Sequence, residues 1–149
     1  MKSLAAIMIL LIAAFALAFM PPPTVIDDEQ FIHIAQMVVT FEKVDGIVEI
    51  TYDLDPFAKV YVFLLGSRNL GPTFEDIFFE FEDVEIIEIG QNYAVVMVKN
   101  VSRQNGEYYL HDSHELGISV DLLTFIYPDG TTKQLEHTRT TQNTFYSDV

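Results

Sequence analysis

The segment His111-Asp112-Ser113-His114-Glu115 is where this chain concentrates side chains able to do chemistry. Two imidazoles and two carboxylates in one short segment are ligand types that zinc accepts. On a loop, His111 and His114 can converge, with Asp112 or Glu115 completing the set. A divalent-metal-dependent enzyme is the function that arrangement would serve. The segment lacks the H-E-x-x-H frame, however, and the spacing of the two histidines alone is weak. A solvated loop between two strands is the simpler reading. Ser113 beside His114 offers a nucleophile and a base. No G-x-S-x-G frame surrounds it, and neighbours in sequence seldom share the geometry that pair needs.

Other polar groups carry less. Asp53-Leu54-Asp55 sets two carboxylates at a strand end, where calcium ligands often gather. Calcium takes about six to eight oxygens, and Asp55 has a sufficient role as a helix cap. Asn100-Val101-Ser102 is a glycosylation sequon, with Asn100 the acceptor in a loop. His33 reads as an ordinary strand histidine, and His137 has no evident companion. Gly66 and Gly71 flank a segment containing Arg68, but their spacing matches no phosphate-binding loop. That segment reads as a helix connection before an anion contact. No cofactor is implied, with zinc or calcium as the weaker alternatives.

The elements that must position these groups are legible in part. Residues 31–42 alternate like a strand, with a parity change near Ala35-Gln36 suggesting a bulge. Asp45-Gly46 signals a hairpin turn, and residues 46–54 return with their even positions toward the core. Residues 57–65 carry helix punctuation, with Asp55 as cap, Pro56 at the start and Gly66 past the end. Their β-forming content (Val60, Tyr61, Val62, Phe63) argues for a buried strand instead. With Lys59 the only charge, either form is expected to be buried on most sides. Phe74, Ile77, Phe78 and Phe81 then repeat at helical spacing behind Thr73, predicting a second helix over 73–82.

Residues 84–89 and 93–98 flank Gly90-Gln91-Asn92 as a hairpin. Residues 107–110 form a short strand and 117–127 a long one. Pro128-Asp129-Gly130 turns the chain into a polar edge strand over 131–137. Residues 138–149 read as a loose polar tail. Helices and strands segregate along the chain, so the expected class is α+β. The expected architecture is an antiparallel sheet with a central helix pair on one face. If 57–65 is a strand, the alternative is an all-β sandwich.

The N-terminus suggests a destination. Met1-Lys2-Ser3 precedes an apolar run over 4–20, and Pro21-Pro22-Pro23 stops it. Ala16-Leu17-Ala18 resembles a cleavage site, so 1–20 reads as a signal peptide or an N-terminal membrane anchor. The run is near the lower limit, about 17 residues, for a spanning helix. Lys2 before it and Asp27, Asp28 and Glu29 after it orient the remainder outside the cytoplasm. Residues 21–30 form an acidic, proline-rich linker, and 31–137 a single globular domain.

The absence of cysteine removes disulfides, thiol catalysis and cysteine-ligated metals. A net charge of −14 repels nucleic acid and anionic membranes, leaving a membrane contact only through the N-terminal segment. The favoured reading is an exported, cysteine-free acidic domain, secreted or membrane-tethered, that binds an extracellular protein or glycan. The metal-dependent enzyme and an envelope or filament subunit are the alternatives.

Overall fold

A computed structural model describes residues 31–148 of the chain. The leader and linker readings lie outside the described residues. Within them the class is α+β, with nine strands and two short helices. The strands are β1 (Ile32–Glu42), β2 (Asp45–Leu54), β3 (Asp83–Ile89), β4 (Tyr93–Lys99), β5 (Arg103–Asn105), β6 (Tyr108–His111), β7 (Glu115–Ile126), β8 (Thr132–Thr140) and β9 (Thr144–Ser147). The helices are α1 (Pro56–Leu65) and α2 (Gly71–Ile77), joined by a 3-10 turn at Ser67–Leu70.

Six strands form one sheet in the order β3-β4-β2-β1-β7-β8, and β5-β6-β9 form a second. All pairs in the large sheet are antiparallel except β1 with β7, which run parallel. The sheet is therefore mixed rather than antiparallel throughout. Three hairpins build it, and the long path from β2 to β7 lets the third hairpin dock on β1 in parallel.

Core-facing positions alternate as the period-two pattern requires. Val48, Ile50, Tyr52 and Leu54 of β2 are buried, as are Ala94, Val96 and Val98 of β4. The register shift on β1 falls between Ile34 and Gln36, where the parity change in the sequence lies. The bulge keeps Ile32 and Ile34 on the same face as Met37, Val39 and Phe41. The helices cover this face, with Phe74 of α2 edge-on to Tyr52 at 5.4 Å between ring centroids.

Several local expectations shift. The β1–β2 turn is Lys43-Val44, with Lys43 at φ 57°, because Phe41 pairs with Gly46 and Glu42 with Asp45. Asp45 then spends its carboxylate on the Asn100 N–H at 2.9 Å. The residue 57–65 helix forms, with Asp55 Oδ1 accepting the Ala58 N–H at 2.8 Å, and the sandwich alternative drops out. The second helix is shorter than 73–82. It begins at Gly71, with Pro72 in its first turn, and ends at Ile77. Phe78 leaves the helical conformation, which returns Phe81 toward His114 instead of around a further turn.

The largest revision concerns the C-terminus. Residues 138–149 are not a loose tail: β8 continues to Thr140, and β9 pairs with β6. Tyr146 is buried, and its hydroxyl donates to the Lys43 carbonyl at 2.6 Å. A strand this short carries too few positions for its alternation to register in sequence. Burial of one tyrosine against the Phe41 cluster decides it.

Candidate functional site

His111 ends β6 beneath the large sheet. Its ring lies 5.2 Å from Phe41 and 6.4 Å from Phe125 between centroids, and it is 2% exposed. Both ring nitrogens are engaged, Nδ1 with the Val101 carbonyl at 2.9 Å and Nε2 with Thr141 Oγ1 at 3.1 Å. A carbonyl only accepts, so Nδ1 carries the proton and Nε2 accepts from the Thr141 hydroxyl. That hydroxyl also takes the His114 N–H at 2.8 Å. Burial pushes the His111 imidazole below its usual pKa of 6.5, and proximity to His114 adds in the same direction.

His114 does come close to His111, but face to face. The centroids are 5.5 Å apart and the planes 30° from parallel. On its other side His114 stacks on Phe81 at 4.4 Å, and its Nδ1 meets the Asp112 carbonyl at 2.7 Å. Stacked rings point their nitrogens outward along their own planes, so they do not converge on a common point. Asp112 turns to Arg103, with Oδ2 2.9 Å from Nη2. The Glu115 backbone N–H is held by the Glu80 carboxylate. Among the described residues no group of three His, Asp or Glu side chains is arranged to hold a metal ion. The void beside His111 is about 10 Å³, too small for a hydrated ion or a substrate.

An open groove of about 490 Å³ passes His114, lined by Glu80, Glu82, Lys99, Arg103 and Asp112. Its cations are paired, Arg103 with Asp112 and Lys99 with Glu85 at 3.0 Å. The stretch from His111 to Glu115 is thus a structural corner that ties β6, β7 and the C-terminal segment together. Thr141, its hub, stood in the stretch read as tail.

The remaining predicted positions are dispersed. Asn100 is exposed at φ 53°, but Val101 and Ser102 are buried and the Ser102 hydroxyl meets Tyr146 at 2.8 Å. Asp55 caps α1, and Asp53 lies 3.9 Å from Lys59. His137 does have a companion, since Asp121 lies 2.9 Å from His33 Nε2 and 3.8 Å from His137 Nδ1. Only strand pairing brings those three together, and no spacing in the sequence announces it.

The feature missed in the sequence is the outer face of α1. Phe57 is 63% exposed, Val60 54%, Phe63 78% and Leu64 55%. Ala58, Tyr61 and Val62 face inward. A helix apolar all round is normally buried all round, yet α1 covers the sheet with one side only. The expectation that it is buried on most sides is therefore corrected. Beside it, Val60 and Phe63 line a groove of about 570 Å³ together with Asp53, Gln91 and Asn92. Comparison with protein-family models, curated proteins and solved structures finds no match to this chain.

Proposed function

We propose that this chain is an exported domain, secreted or tethered to the outer face of a membrane, that acts by binding through the open face of α1. One observation carries the reading. Five large apolar side chains, Phe57, Val60, Phe63, Leu64 and Leu65, stand exposed on a single helix of an otherwise well-packed domain, and such patches mark contact surfaces. Lys59 is the only charged side chain on α1, so the helix favours an apolar partner over a glycan.

The two alternatives draw less support. A metal-dependent reaction needs free ligand nitrogens, and both of His111 are occupied. A filament built by strand addition needs receptive edges. The edge strands of the large sheet carry Asp83, Glu85 and Glu88 on β3 and Lys133, Glu136 and Arg139 on β8, charges that discourage pairing there.

The cysteine-free chain permits a direct test. Lys133→Cys, on an exposed edge strand, is expected to react with a membrane-impermeant maleimide added to intact cells. Labelling only after lysis would end the export reading.

A further inference from the structure

Resting on that reading, we propose that the partner of α1 is the bilayer itself. The helix lies in the headgroup region, with Phe57, Val60, Phe63 and Leu64 entering the acyl boundary. Where the chain enters the fold argues for this. The Phe31 carbonyl accepts the N–H of Asp55, the cap of α1, at 2.9 Å. The described chain therefore begins against the first turn of the exposed helix, ten residues past the apolar run. Residues 21–30 lie between, and a stretch of that length spans at most about 36 Å. A tether in the membrane would hold α1 within reach of the same membrane.

The chemistry of the face agrees. A bilayer boundary asks for apolar side chains and no directional hydrogen bonds, and a lysine at the rim can extend to the headgroups. From Pro56 to Leu65 the helix has no acid to repel the surface. The net charge of −14 resists anionic lipid, so zwitterionic headgroups are preferred. A second copy is a poorer occupant. One face of a helix about 15 Å long offers a few hundred Å² at most, against about 800 Å² per partner in a stable interface. A weak surface contact suffices when a tether supplies the effective concentration.

The test uses the full chain in phosphatidylcholine vesicles, carrying an environment-sensitive fluorophore on Phe63→Cys, with Lys133→Cys as reference. Far-UV circular dichroism melts confirm that each variant folds, and Leu64→Cys repeats the measurement if Phe63→Cys does not. Expected is severalfold stronger quenching by lipid-borne nitroxide at position 63 than at 133, with the reverse order for aqueous iodide. Replacing part of the lipid with phosphatidylglycerol should weaken the difference. Protection from both quenchers that fades as lipid dilutes the protein would mean a second copy covers α1. Protection from both at every dilution would assign the face to the chain's own N-terminal segment. Either result overturns the bilayer proposal. Free access of iodide at position 63 overturns it too, leaving α1 open for a soluble partner. Failure of the export reading shows separately, in the intact-cell labelling of Lys133→Cys.

Discussion

His111 illustrates how a residue type that suggests catalysis can be fully employed in packing. Its neutral ring gives one proton to the Val101 carbonyl and receives one from Thr141, so no nitrogen is left for a metal or a substrate. The unfolded chain takes up a proton near the ordinary pKa of 6.5, whereas the buried ring resists it. The unfolded state therefore binds more protons as the pH falls below 6.5, and stability declines in that direction. A pH unit or more above 6.5 the ring is essentially neutral in both states and contributes no slope. Urea unfolding followed by circular dichroism should show this decline between pH 6.5 and the lower folded-state pKa, at no more than about 1.4 kcal/mol per pH unit from this group. His111→Phe should remove its share of the slope while costing about 1–3 kcal/mol at pH 7.5, because it leaves Val101 and Thr141 without their partner. An unchanged slope in the variant would assign the pH dependence to other groups.

At the scale of elements, one glycine decides how the second helix sits. A Cβ on Gly117 of β7 would stand 2.5 Å from the Asp76 carbonyl oxygen and 3.2 Å from the Ile77 Cα. These are backbone atoms at the end of α2 and cannot swing aside. Gly117→Ala should therefore cost about 1–3 kcal/mol in thermal or urea unfolding. Stability equal to the wild type would mean that α2 does not approach β7 so closely. The C-terminal strand is an equally definite element. Ending the chain at residue 142 would remove Tyr146, whose ring stacks on Tyr109 at 5.5 Å and packs at 4.7 Å from Phe41. Loss of so large a buried aromatic costs about 3–5 kcal/mol. That is a large part of a small domain's stability. Collapse of the near-ultraviolet circular dichroism is expected, and a native-like spectrum would return this segment to the status of a tail.

For the whole molecule, the decisive contrast is between a filled core and an uncovered helix. Every buried side-chain nitrogen and oxygen among the described residues has a hydrogen-bond partner. A chain that satisfies its interior so completely yet leaves Phe63 78% exposed is better read as presenting a surface than as packing badly. Phe63→Lys tests this at little cost to the fold. It places a cation near the helix C-terminus, where the dipole favours one, and should change stability by less than about 0.5 kcal/mol. The same variant should lose most of the binding of an apolar-surface dye by the folded domain. If dye binding persists, the accessible apolar surface lies elsewhere, with Phe145 and Phe79 the most exposed aromatics outside α1.

Much of the local structure could be read from residues alone, because it rests on interactions short in sequence. The bulge near Ala35-Gln36 follows from side-chain parity, α1 from its Asp55 and Gly66 punctuation, and the Gly90 hairpin from turn chemistry. The polar edge of β8 is written in its composition. What escaped depends on contacts between distant segments. The parallel pairing of β1 with β7, Asp121 between two histidines, Thr141 beneath His111, and β9 on β6 each join residues of different strands or segments that are far from neighbours in sequence. The sequence alone determined that His111 and His114 would be near one another. Only the tertiary structure decided that they stack, since ring orientation answers to Phe41, Phe81 and Thr141. The sequence likewise made α1 apolar on every side but that of Lys59. Which side meets the sheet and which meets solvent is settled only when Tyr61 and Val62 dock and Phe57 and Phe63 are left exposed.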